Sequence, residues 1–304
     1  MPSGIMNNTC KPARRVCQCP LDLVVQRFVA PVVLSLALAG TVWADVSSTN
    51  NPFPGITYFS ETRAQPPTRL FVAEIDLTNP KVRIQVSPGG PDPDGPGPWQ
   101  TTLMQPTKIA ARDGFDFVIN GDFYRVPAAD APERTNAVNP AVDWCAVTGP
   151  AVSSGKVWST SSRSKPCLVV GKDGKVAIKS VGRPGAGDWQ LVAGNTILVK
   201  DGQAVTHSNK VRHPRTVVGL NATATKLIIL VVDGRKPGIA VGMNYDELAA
   251  EMIRLGCDSA LNLDGGGSSV MAIRDPVKKE FLLLNEPTDG RERAVANALG
   301  VTVR

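Results

Sequence analysis

Histidine is nearly absent: the 304-residue chain holds two, His207 and His213. That excludes a three-histidine zinc site and an HExxH metalloprotease, since neutral imidazole is their main ligand. It also argues against a histidine relay to a nucleophile. Aromatic residues are scarce at 5%, and no Lys/Arg-rich stripe interleaves with them, which leaves nucleic acid without a binding surface. No uninterrupted apolar run reaches the ~20 residues of a comfortable membrane span. Chemistry in this chain falls to carboxylates, arginines and backbone donors.

What is present describes a globular protein, with 42% hydrophobic and 20% charged residues. The 28 glycines and 25 prolines point to a loop-rich fold in which helices are the minority. The first 27 residues are basic (Lys11, Arg14, Arg15, Arg27), and an apolar stretch interrupted by Pro31 runs from Phe28 to Val42. Val42-Trp43-Ala44 followed by Asp45 reads as a signal-peptidase site, so residues 1–44 are expected to be a leader and the protein exported. An uncleaved leader would be its one attachment to a membrane. Losing the leader removes four basic residues and one acidic residue, lowering the net charge from +6 to +3. Most of the basicity therefore belongs to the leader. Three cysteines leave with it. Of the remainder, Cys145 and Cys167 could close a short loop in an oxidising compartment, while Cys257 suits a buried apolar site.

Residues 45–68 read as a polar, disordered lead-in and a first strand, and residues 69–304 as one domain. Strands are predicted at 55–60, 69–77, 81–87, 115–119, 217–220, 227–232, 260–263 and 295–303. Asp173-Gly174 and Asp201-Gly202 mark hairpin tips. The Pro/Gly run from Pro88 to Pro98 can form only a loop. Thr101 or Thr102 is expected to cap a short helix toward Arg112. Asn244, with Glu247 three residues on, forms a capping box for a second helix that Gly256 ends. The predicted class is α+β, a single domain of mostly mixed β-sheet with a few packed helices.

The strongest local signal is Leu261 to Ser269, LNLDGGGSS. Three successive glycines let backbone N–H groups converge on an anion, and they equally suit a tight structural turn. No lysine follows, which excludes a nucleotide P-loop, and no serine sits between spaced glycines as in a hydrolase elbow. Asp264 puts a carboxylate at the rim and Ser268 adds a hydroxyl. Arg215, at the entry of a strand, can grip an anion bidentately or lie solvated. Asp233, Asn120 and Asp122 each follow a buried strand, where a simple turn is the alternative reading. Glu292-Arg293 precede the final strand and alone read as a solvated pair.

Together these pieces resemble one family. NGDFY at 120–124, HPRT with VVG through Gly219, VDGR at 232–235, the ELA-EM helix, LGC at 255–257, LNLDGGGSS, and ER-V-NAL at 292–299 occur in the order found in the phosphodiester glycosidases, typified by N-acetylglucosamine-1-phosphodiester α-N-acetylglucosaminidase. The resemblance covers roughly residues 69–304. Members commonly carry Gly where this chain has Asp122, and the 88–98 loop has no counterpart.

The resemblance implies hydrolysis of a sugar–O–phosphate–O–R diester at the anomeric carbon, releasing free sugar and a phosphate monoester. It implies Asp264 as the first catalytic carboxylate and Asp233 as the second. Asn120, Asp122, Arg215, Gly265, Gly266, Gly267, Ser268 and Arg293 are the implied substrate contacts. No metal or cofactor is implied, and the partner is a sugar phosphodiester or phosphorylated glycan. The alternative is a non-catalytic envelope module that binds sugar phosphates. Oligomeric state is not legible in these residues.

Overall fold

Strand Lys226–Val232 is aliphatic throughout, and the fold buries both of its faces. Leu227, Ile229 and Val231 enter one core, whereas Ile228, Leu230 and Val232 enter another. A strand with no polar face must lie centrally, and this one lies between Pro67–Asp76 and Arg215–Leu220 in a nine-stranded sheet. Beyond Arg215–Leu220 come Ser259–Asn262, Thr196–Lys200 and Gln203–Ala204. These statements rest on a computed structural model, which describes residues 45–47, 49–92, 95, 97–128 and 143–304. The leader and its cleavage site lie outside the described residues, as do Pro93, Asp94 and Pro96 of the Pro/Gly loop.

Two five-stranded sheets complete the core. One runs Phe281–Leu283, Met271–Arg274, Phe117–Asn120, Asn297–Val303, Val82–Pro88 in spatial order. The other runs Lys156–Ser159, Ala151–Ser153, Asp188–Ala193, Lys165–Gly171, Val176–Val181. Ile84, Ile119, Leu168, Val192 and Leu299 from these sheets join Leu227 and Ile229 in one cluster. The α+β class holds. Every described strand pairing is antiparallel, where a mixed sheet was expected.

Helix α1 spans Pro106–Asp113 and helix α2 spans Tyr245–Arg254. The capping box on α2 is present: Asn244 Oδ1 accepts from the Glu247 N–H at 3.0 Å, and Glu247 Oε2 accepts from the Asn244 N–H at 3.0 Å. Leu248 and Met252 then join Ile228 and Leu230 in the second core cluster. Helix α1 does not start at Thr101 or Thr102, which instead pair as a short strand with Cys145 and Trp144. Pro106 fixes the first turn, and the cap comes from far along the chain. Glu292 accepts from the Thr107 N–H and hydroxyl, both at 2.6 Å. Sequence spacing cannot reveal so remote a cap.

Two further expectations change. The polar segment expected as a disordered lead-in contributes strand Asn50–Phe53, which pairs with Ile56–Ala64 as Asn50↔Tyr58 and Phe53↔Ile56. Cys145 and Cys167 are free buried thiols, each pushed up to about 12 by burial. Cys257 is buried beside α2, as expected.

Replacing Asn244 by Ala removes one half of the α2 cap and should cost about 1 kcal/mol. For a chain of this size that lowers Tm by ~2–4 °C in a thermal melt. An unchanged Tm would show that tertiary packing alone holds the helix.

Candidate active site at the DGGGS loop

Strand Ser259–Asn262 delivers the loop, and two segments, at 214–216 and at Gly121, lace it in place. The Leu263 N–H bonds Thr216 O (2.9 Å), the Asp264 N–H bonds Gly121 O (3.0 Å), and the Gly266 N–H bonds Pro214 O (2.9 Å). Asn120 completes the lacing. Its Nδ2 donates to Asp264 O at 2.7 Å, while its Oδ1 accepts from Thr216 Oγ1 (2.7 Å) and the Val270 N–H (3.2 Å). The side chain is 0% exposed. Asn120, expected to touch substrate, is therefore a staple under the loop.

Three of the four amides expected to form a nest, those of Gly265, Gly266 and Ser268, are engaged within the protein. The Gly265 N–H donates to Asp264 Oδ1 at 2.8 Å, the Gly266 N–H to Pro214, and the Ser268 N–H to Gly265 O at 3.2 Å. Donors already engaged inside the protein cannot cradle an anion.

The glycines serve close approach instead. A Cβ on Gly265 would lie 2.7 Å from Pro214 O and 3.7 Å from the Arg215 side chain. On Gly266, at φ +63°, it would lie 3.0 Å from Nη2 of Arg235. On Gly267 it would overlap the Arg293 guanidinium and come within 2.6 Å of Asp289 Oδ2. Gly266 and Gly267 thus each admit an arginine to the loop, and Gly265 admits the Pro214 backbone.

The three arginines differ in setting. Arg215 is 6% exposed, and no carboxylate pairs with it among the described residues. Its guanidinium donates to Met243 O and Val211 O, both at 3.2 Å, and lies 4.4 Å from the Tyr245 ring centroid. Burial, with Arg235 nearby, lowers its pKa. Carbonyls and a ring face leave the buried charge without a counterion, a costly arrangement that an incoming anion would relieve. Arg235 is exposed at φ +60° and makes no ion pair with any described residue. Arg293 holds Asp289 at 2.9 Å through Nε.

Asp264 is pushed up to about 6 by burial, opposed by hydrogen bonds from Ser268 and the Gly265 N–H and by the charge of Arg293. Tyr124 hydrogen-bonds the same Ser268 hydroxyl. Burial and the Asp264 charge raise the phenol's pKa. Burial, and the charges of Arg215 and Arg235, lower the His213 pKa and so disfavour its charged form.

Two predicted carboxylates are buried and tied up by hydrogen bonds of their own. Asp233 is 2% exposed, accepting from Asn285 Nδ2 (3.0 Å) and the Glu286 N–H (3.2 Å). It ties the end of strand Lys226–Val232 to a distant segment, with both carboxylate oxygens accepting hydrogen bonds there. Asp122 is 1% exposed and accepts from the Gly149 N–H at 2.7 Å and Thr148 Oγ1 at 3.2 Å. Burial pushes it up to about 7, against these hydrogen bonds and with the Asp264 charge adding to the rise, so Asp122 lies buried within electrostatic reach of Asp264. Asp264, Ser268, Arg215 and Arg293 are brought together at the loop. Arg235 and Tyr124 join them unforeseen, although both stand in the quoted VDGR and NGDFY motifs.

The sequence model of the phosphodiester glycosidases (NAGPA) matches residues 113–302, which include every one of these groups. The chain belongs to the phosphodiester glycosidase family. Solved structures share the family fold at low identity. The zebrafish N-acetylglucosamine-1-phosphodiester α-N-acetylglucosaminidase catalytic domain, auto-inhibited by its pro-peptide, aligns with TM-score 0.57 and 18% identity over 88% of this chain and 85% of that one. A protein from Burkholderia pseudomallei K96243, described as exported, aligns with TM-score 0.60 and 14% identity over 91% of this chain and 100% of that one. A hypothetical protein from Synechocystis aligns with TM-score 0.55 and 15% identity over 86% and 64% of the two chains. The SPbeta prophage-derived uncharacterized protein YomE of Bacillus subtilis (strain 168) is 36% identical over 92 residues, and the chain spans 13% of its length.

Arg293 draws the Asp264 pKa down, so Arg293→Gln should move the Asp264 titration above about 6. Carbon-13 NMR of the carboxyl carbons across a pH series reads it. A value that stays put or falls would place Arg293 too far away to matter.

Proposed function

We propose that this family member hydrolyses the anomeric C–O bond of a sugar-1-phosphodiester, giving free sugar and a phosphate monoester. The observation that carries the proposal is the convergence of Arg215, Arg235 and Arg293 on the three glycines beside Asp264. Arg235 and Arg293 are positioned to grip a phosphate through N–H donors, and Arg215 adds positive potential from behind the loop. A phosphate monoester is a good leaving group, so strong general-acid assistance is unnecessary. That suits a site in which Asp264 faces the cluster while Asp289 is held by Arg293.

In this reading Asp264, ionised at neutral pH, stabilises the oxocarbenium-like centre as the C1–O bond breaks. The bond electrons leave with the phosphate. Water adds to C1, and its proton passes to the Asp264 carboxylate. Asn120 holds the loop backbone, and Ser268 links Asp264 to Tyr124. The catalytic unit is placed at residues 69–304 with the 45–68 strands attached. The leader-like residues 1–44 support export to the periplasm or medium.

Phosphorus NMR in oxygen-18 water, with UDP-N-acetylglucosamine and a simple N-acetylglucosamine-1-phosphate ester, tests the reaction. An unlabelled phosphate monoester beside free sugar is expected. Label in the phosphate would mean P–O cleavage, and binding without turnover would leave the non-catalytic reading. Because Asp264 must be ionised, kcat/KM should fall as pH drops through about 6. Asp264→Asn should abolish turnover while Tm stays near wild type. Retained activity in that variant would overturn the assignment.

A further inference from the structure

Trp189 is held in a place a folded core would not choose. Strand Asp188–Ala193 pairs with Lys165–Gly171 as Val170↔Gln190 and then Gly171↔Asp188, which leaves Trp189 as the extra residue of a β-bulge. Bulges re-aim a side chain out of the regular alternation. Here the indole emerges 41% exposed, while its neighbours Gln190, Leu191 and Val192 are buried.

The ring is also braced. The Gly155 N–H donates to Trp189 O at 2.8 Å, and a Cβ on Gly155 would stand 2.7 Å from the ring atom Cζ3. Only glycine, at φ +78°, lets the turn sit against the ring edge. An exposed tryptophan fixed on one side is a platform and not a loose surface residue.

The platform lines a cleft of ≈ 650 Å³ together with Asn79, Gln85, Lys172 and Lys175. Lys172 Nζ lies 6.0 Å from the ring centroid and pairs with no carboxylate among the described residues. None of Asp264, Arg215, Arg235 or Arg293 lines this cleft.

We propose that this cleft is a second, non-catalytic binding site for an anionic oligosaccharide. A pyranose ring stacks its C–H face on Trp189, and Lys172 faces the anionic substituent. The site would hold a glycan chain while the DGGGS loop works elsewhere on the same polymer, raising the local concentration of substrate. The inference stands on the bulge, the brace and the cleft, independently of the reaction proposed at Asp264.

Fluorine NMR of the full protein labelled with 5-fluorotryptophan tests it, with the Trp189 resonance assigned as the one that Trp189→Phe removes. The probes are chitotriose and chitotriose 1-phosphate, with UMP as the nucleotide control. Both saccharides should shift that resonance saturably, the phosphorylated one more tightly, and Lys172→Ala should weaken its binding by about tenfold, equivalent to ~1.4 kcal/mol. Asp264→Asn should leave these shifts intact, separating this site from the catalytic one. No saturable shift with either saccharide, or an equal shift with UMP, would overturn the proposal.

Discussion

The site depends on steric room at three consecutive residues. Gly265, Gly266 and Gly267 are narrow enough for the Pro214–Arg215 backbone, Arg235 and Arg293 to close on one loop. Any side chain there would push a guanidinium out or lift the loop off the Pro214 carbonyl that holds it. The same closeness places Arg293 near the Asp264 carboxyl and helps oppose the effect of burial. Positive charge, the half-buried Asp264 carboxylate and a fixed backbone therefore share one steric origin.

The rest of the fold keeps that loop still. The doubly buried strand Lys226–Val232 anchors Arg215–Leu220, whose partner Ser259–Asn262 runs directly into the glycines. Asn120, from another sheet, fastens the loop backbone across to Thr216. Asp233 ties the end of Lys226–Val232 to Asn285 and thereby orients the turn that carries Arg235. The carboxylates that do not face the loop thus serve as its scaffolding. Supporting groups of this kind decide whether a preorganised site keeps its geometry.

Much of this was legible in residue order. The Asn244–Glu247 spacing announces its helix because both partners of the cap lie within one turn. The aliphatic run at 227–232 announces a central strand because no polar face remains. LNLDGGGSS stood out for its glycines, yet an amide nest and a close approach of side chains demand the same residue, so the pattern could not separate them. Asp233 looked like a second acid because its partner Asn285 lies fifty-two residues away. Arg235 looked like part of an ordinary Asp-Gly turn, since its nearness to Gly266 exists only after folding. Thr101 and Thr102 lost the helix start to Pro106 and to a Glu292 cap from the far end of the domain.

The central claim is that guanidinium groups, and not loop amides, receive the phosphate. A crystal structure of Asp264→Asn bound to an N-acetylglucosamine-1-phosphate ester tests it most directly. The account predicts the phosphate seated between Arg235 and Arg293, with the Gly265, Gly266 and Ser268 N–H groups still bonded within the protein. A phosphate held by those N–H groups, with both arginines turned away, would contradict it.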